Sequence, residues 1–170
     1  MDVTVRAARP GDGDAIASAW RTAAEYYADL DPGYSQSPGP EELAELWNAE
    51  MAEGGHDTLQ LVAELDRRVV GWLLARVLRP DGDVAAQDID RHHRTLLVVA
   101  ALVVEHEYWR QGTGTALAEA AESWGAARGA RVARLATDAR SHISVPFYEH
   151  RMGYQRQTII FEKRLRPSDP

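Results

Sequence analysis

Residues 95–104 read TLLVVAALVV and carry no charge. The run is too short for the roughly 20 residues that span a bilayer, and its Val and Leu content suits a strand buried on both faces of a sheet. The sheet's centre is expected here. A short way on come Gly112-Thr113-Gly114 and the alanine-rich stretch TALAEAAESWGAARGA, which sets Ala116, Leu117, Ala120, Ala121 and Trp124 on one helical face, with Gly129 near its end. Buried strand, glycine turn and helix together require a layered α/β arrangement. They also present free backbone N–H groups, and the positive end of a helix dipole, to an anion.

The rest of the chain fits that layering. VTVRAA alternates as a short strand, and PGDGDAIASAWRTAAEYYADL follows its turn signals with Ile16, Ala19, Trp20, Ala23 and Tyr27 at helical spacing. DPGYSQSPGP holds too many breakers for regular structure and reads as a loop. EELAELWNAEM restarts a helix at about Pro40 and stops at Gly54-Gly55. TLQLVAEL and RVVGWLLARVL, joined through polar residues, read as a hairpin, and RPDGDVAAQDIDRHHR as a surface loop. After the alanine-rich helix come a strand RVARLATD, a short helix in SHISVPFYEHRMG ended by Gly153, and a terminal strand YQRQTIIFEKRL. The order β α α β β β α β α β has no repeat and no linker. It predicts one domain over residues 1–170, a mixed α/β sheet with helices on its faces.

Composition narrows the chemistry. At 45% apolar and 26% charged residues the chain is globular, and 170 residues suit one core. The absence of cysteine excludes disulfides, thiolate zinc sites and an acyl-cysteine intermediate. The first residues lack the pattern of a secretory or transit peptide, so a cytoplasmic protein with no membrane partner is expected. With a net charge of -7 and scattered arginines, no nucleic-acid partner is expected, and cationic partners are favoured.

Two phosphate-binding loops can be tested against Gly112-Thr113-Gly114. A dinucleotide fingerprint needs a third glycine where Leu117 stands, and a P-loop needs Gly-Lys-Ser/Thr, which occurs nowhere. What remains is either a plain strand-to-helix turn or a different diphosphate cradle. The cradle would use N–H groups of Gln111, Gly112, Thr113, Gly114 and Thr115, with charge from Arg110.

The stretch ALVVEHEYWRQGTGTAL resembles the acyl-CoA loop of the GNAT N-acetyltransferases, Leu-x-Val on a strand and then Arg/Gln-x-x-Gly-x-Gly/Ala opening a helix. Leu102 and Val104 match the strand positions, Gly112 and Gly114 the glycines, and Trp109 stands where Arg or Gln is usual, with Arg110 one place later. Downstream, SHISVPFYEHRMGYQ resembles the family's second segment, with Tyr148 at the tyrosine, Gly153 at the glycine, Tyr154 at the aromatic and Ser141 where Asn is common. The resemblance runs from about Val3 to Leu165. It implies a central mixed, mostly antiparallel sheet whose fourth and fifth strands, 96–104 and 131–137, splay apart to admit the pantetheine of acetyl-CoA. The backbone of Leu102, Val103 and Val104 would pair with that arm, one N–H would bind the developing oxyanion, and Ser141 and Tyr148 would add contacts.

Within that reading an amine attacks the thioester directly in a ternary complex. Tyr148 is the expected acid for the departing sulfur. Glu105 is the expected base, with Glu64, Asp88, Asp90, His92, His93 and His106 as competitors. No metal is expected, since His92-His93 and Asp81-Gly82-Asp83 lack further ligands. The acceptor site is expected from the two N-terminal helices and nearby loops, which carry Tyr26, Tyr27, Asp29, Asp31, Tyr34, Trp47, Asp81, Asp83, Asp88 and Asp90 and suit a cationic amine, either a small molecule or a peptide or protein amine. An acyl-CoA sensor or an interaction module on the same fold is the alternative. The terminal strand could join a partner's sheet in a homodimer.

Overall fold

The computed structural model describes residues 3–31, 39–79 and 94–160. The chain forms β1 (Thr4–Ala7), α1 (Gly13–Leu30), α2 (Pro40–Glu53), β2 (Thr58–Leu65), β3 (Arg68–Leu78), β4 (Leu96–Val104), a 3-10 turn (His106–Tyr108), α3 (Thr113–Ala127) and β5 (Val132–Arg134). A helical segment then follows, α-helical over Ser144–Pro146 and π-helical over Phe147–Arg151. The strands make one mixed sheet in chain order, antiparallel except where β4 and β5 run parallel.

The hairpin turns on Asp66 and Arg67, both left-handed at φ 49 and 68, in the two-residue geometry whose twist matches that of the flanking strands. It makes β3 the middle strand. Trp72 and Leu74 point to one face and Leu73 and Ala75 to the other, all buried, as the two-residue period requires. The uncharged run expected at the centre, β4, lies between β3 and the short β5.

On one face, α1 and α2 lay Ile16, Ala17, Ala19, Leu43, Ala44 and Trp47 over Val62, Trp72, Leu74 and Val103. The rings of Trp47 and Trp72 are 4.5 Å apart and Trp20 stands 5.8 Å from Trp47, so Trp47, expected in the acceptor site, is a core residue. On the other face, α3 sets Leu117 and Ala121 over Leu73, Ala75, Leu97 and Val99. Gly125 lets it do so, because a Cβ there would lie 2.9 Å from Leu97 Cδ1. At the β1 edge Arg6 donates to Asp12 Oδ1 and Oδ2 at 2.9 and 2.7 Å and to Glu64 Oε1 at 2.6 Å, tying β1, the start of α1 and β2 together.

Two expectations change at the C-terminal side. β5 spans three residues instead of 131–137. Residues 154–160 form no strand, and Ile159 and Ile160 are 77% and 73% exposed. An extended segment gains stability only against a ladder partner, and among the described residues nothing pairs with the outer edge of β5. Residues 161–165 of the expected strand lie outside the described residues. No helix among the described residues is long and apolar enough to cross a membrane.

Candidate active site

β4 and β5 pair only through Leu96 with Val132, Leu97 with Ala133 and Val98 with Arg134. Beyond that point β4 continues to Val104 while β5 ends, which leaves a gap in the ladder beside the rest of β4. β4 also bulges where the gap begins. Leu74 pairs with Ala101 and Ala75 with Val99, which leaves Ala100 unpaired and exposed. Past the bulge, the Glu105 N–H donates to the Val70 carbonyl on β3 at 2.9 Å. Backbone polar groups alternate sides along a strand, so those of Leu102 and Val104 face the gap and those of Val103 face β3. Of the three residues expected to offer backbone to a ligand, Leu102 and Val104 turn their polar backbone groups away from β3, and Val103 turns its own toward β3.

The far end of the gap meets the start of α3. Gly112 is left-handed at φ 88 and is the N-cap, and Ala116 N–H to Gly112 O, 2.9 Å, is the first bond of the helix. The N–H groups of Thr113, Gly114 and Thr115 therefore have no acceptor within α3. No side chain caps this terminus and no acidic residue stands in its first turn. Arg110, left-handed at φ 61, is exposed, and Gln111 donates its side-chain amide to the Glu107 carbonyl at 2.8 Å. Arg151, which sequence reasoning missed, brings Nε to 3.4 Å from Thr115 Oγ1 and adds a positive charge at the same terminus. A Cβ at Gly114 would meet Phe147 at 3.5 Å and Leu102 at 3.6 Å, ordinary contacts, so packing does not demand glycine there.

Trp109 is built into the gap. Its Nε1 donates to the Val104 carbonyl at 2.7 Å, and its ring meets those of His106 at 4.6 Å and Tyr26 at 5.8 Å. The departure from the family pattern thus carries a structural bond.

Tyr148 lies in the π-helical turn, closed by Met152 N–H to Phe147 O at 3.0 Å, a widening that recurs at functional sites. Its ring sits 4.9 Å from Phe147 and 5.7 Å from Tyr154. Burial pushes the Tyr148 phenol well above the ordinary tyrosine range, and the nearby Tyr27 adds to the shift. The group is a neutral O–H donor at physiological pH. Ser141 is buried, accepts the Ser144 N–H at 2.9 Å and lies 3.0 Å from the Tyr26 hydroxyl, which is also 3.3 Å from His142 Nδ1. The Tyr27 hydroxyl lies 3.0 Å from Thr137 Oγ1 and 3.1 Å from Ser144 Oγ. Tyr26 and Tyr27, assigned by sequence to an acceptor, turn their hydroxyls to the segment after β5. No short-range pattern announces contacts between residues more than a hundred positions apart.

Glu105 is 7% exposed, and both of its oxygens are taken, by Arg68 Nη2 at 2.6 Å and Ser18 Oγ at 3.2 Å. It stands at the α3 end of β4, away from the bulge. Glu64 is held by Arg6, Asp31 by Arg140 at 3.1 Å, and Asp29 is exposed. Tyr34, Asp81, Asp83, Asp88, Asp90, His92 and His93 lie outside the described residues. Among the described residues no three His, Asp or Glu side chains are grouped to hold a metal.

Several solved structures share this fold. The tetramutant of the BH1408 protein from Bacillus halodurans aligns with 95% of this chain and 99% of its own, with a TM-score of 0.81 at 20% identity. An aminoglycoside acetyltransferase, meta-AAC0020, from an uncultured soil metagenomic sample, in complex with sisomicin, aligns over 96% and 97% with a TM-score of 0.62 at 19% identity. Aminoglycoside N-acetyltransferase AAC(6')-Iy in complex with CoA aligns over 97% and 95% with a TM-score of 0.66 at 17% identity. At these identities the likeness is one of fold. No curated protein sequence matches the chain. The sequence profile of the acetyltransferase (GNAT) family matches residues 20–154, well over half the chain, and the protein belongs to that family.

Proposed function

We propose that the protein transfers an acetyl group from acetyl-CoA to a primary amine by direct attack in a ternary complex. The observation that carries the proposal is the parting of β4 from β5 after Val98, with the polar backbone of Leu102 and Val104 facing the gap and the uncapped start of α3 at its end. An extended arm with amide groups fits that strand edge, and a diphosphate fits the free N–H groups of Thr113, Gly114 and Thr115. Arg151 supplies charge there, and Trp109 occupies the Val104 carbonyl, leaving the arm Leu102 and the Val104 N–H.

Attack of the amine on the thioester carbonyl forms a C–N bond and breaks the C–S bond. The leaving sulfur takes the phenolic proton of Tyr148, and the proton shed by the amine passes to a base or to water, from which Tyr148 is reprotonated. Glu105, with Arg68 and Ser18 on its two oxygens, is better placed to fix β4 against β3 and α1 than to take that proton. The fold neighbours complexed with CoA and with sisomicin support a CoA donor and an amine acceptor, and the net charge of -7 favours a cationic one, small molecule or peptide. A homodimer through the exposed segment that includes Ile159 and Ile160 completes the proposal.

Thermal unfolding with added CoA tests the binding half. A ligand of the native state at about a hundred times its dissociation constant adds about 2.7 kcal/mol, so the melting temperature must rise. An unchanged melting temperature at millimolar CoA excludes the reading.

A further inference from the structure

We propose that Tyr27 of α1 is a positioning residue for Tyr148, holding the turn that carries the acid at its working distance from the leaving sulfur. This inference rests on the acid role assigned to Tyr148 above.

The Tyr148 hydroxyl has no hydrogen-bond partner among the described residues, and its ring lies against those of Phe147 and Tyr154. Its placement therefore comes from the backbone of its own segment. That backbone is wide and irregular, three α-helical residues running into a five-residue π-turn, and a segment this short has little stability of its own. It must be held from outside. Tyr154 to Glu122, 2.8 Å, ties its C-terminal side to α3. On its N-terminal side the tie from another element is α1. Tyr27 OH bridges Thr137, just past β5, and Ser144, the first residue of the segment, at 3.0 and 3.1 Å. A hydroxyl shared between the two fixes how far the segment stands from the end of β5, which is the width of the gap on the Tyr148 side. Tyr26, next in the chain, reaches Ser141 and His142 on one side and the Trp109 ring on the other, so it braces the same span. Tyr27 contacts the segment that carries Tyr148 and also lies near Tyr148 itself.

Removing one bridging hydroxyl displaces the acid without removing it, and misplacement of a catalytic group costs turnover more than binding. The experiment is a double-mutant cycle on Tyr27→Phe and Tyr148→Phe, following amine-dependent thiol release from acetyl-CoA. Tyr27→Phe is expected to lower kcat about tenfold, the weight of one lost net hydrogen bond at the upper end of its range, with KM for acetyl-CoA within about twofold. In the Tyr148→Phe background it should change the residual rate by less than about twofold, since there is no acid left to position. Ser144→Ala, which removes the bond from the other partner, should reproduce the kcat loss. Tyr27→Phe with wild-type kcat, or an equal loss in both backgrounds, overturns the inference while a slow Tyr148→Phe keeps the acid role intact. A Tyr148→Phe protein as fast as wild type overturns the acid role and this inference with it.

Discussion

The indole Nε1–H of Trp109 donates to the carbonyl oxygen of Val104 at 2.7 Å, at the place where the backbone of β4 faces the gap beside β5. The bond ties the turn before α3 to the strand that leads into it. Phenylalanine would keep the ring against His106 and Tyr26 and delete the donor. Trp109→Phe should weaken CoA binding by about three- to tenfold, the worth of one net hydrogen bond, as measured by calorimetric titration.

Gly112 and Gly114 stand two residues apart and answer to different constraints. At φ 88 an alanine at Gly112 costs about 1–2 kcal/mol of stability. At Gly114 an alanine meets only ordinary contacts in the protein but intrudes between Leu102 and Phe147. Gly112→Ala should lower the melting temperature, and Gly114→Ala should leave it nearly unchanged while lowering CoA affinity by at least about tenfold.

Tyr148 and Tyr154 are both raised above the ordinary tyrosine value of 10.0, chiefly by burial. Above that pH the unfolded phenols lose protons that the folded ones keep, so the unfolded state binds fewer protons and stability falls as pH rises. Urea unfolding between pH 8 and about 12 should show a steepening loss above pH 10 that Tyr148→Phe and Tyr154→Phe each reduce.

Asp12 shifts the other way. Its carboxylate, 7% exposed, accepts two bonds from Arg6, which hold its pKa below the ordinary 3.8. The stability it contributes is complete above that value and is lost as pH falls toward the folded pKa. Asp12→Asn should cost about 1–3 kcal/mol at neutral pH and flatten the acid limb of a stability profile.

Adjacent isoleucines in an extended chain point to opposite faces, so covering both Ile159 and Ile160 calls for a sheet edge in place of a flat surface. Light scattering should give a dimer for the wild type and a monomer for Ile159→Glu combined with Ile160→Glu. A dimer unchanged by the double substitution removes the segment from the interface.

Much of the fold is legible in local pattern. The uncharged run of β4, the hairpin through Asp66 and Arg67 and the limits of α2 between Pro40 and Gly54 follow from periodicity and turn chemistry, which act within a few residues. What is not legible depends on partners far along the chain. Sequence reasoning lengthens β5 and expects a strand over 154–160, because strand propensity says nothing of whether a neighbouring edge is there to pair with. The glycine turn that opens α3 shows in Gly112 and Gly114. The bonds of Tyr26 to Ser141, Tyr27 to Ser144 and Arg68 to Glu105 do not show, and they decide which hydroxyls and carboxylates are already engaged.

The central claim is that the gap between β4 and β5 holds a thioester that an amine attacks. Release of the CoA thiol from acetyl-CoA, followed across a panel of polyamines, aminoglycosides, amino acids and peptides, tests it most directly. Thiol release that requires both protein and at least one amine, and that falls at least about tenfold in Tyr148→Phe, is the predicted result. Thiol release no faster than without protein for every amine, or an amine-dependent rate that Tyr148→Phe leaves untouched, would contradict it.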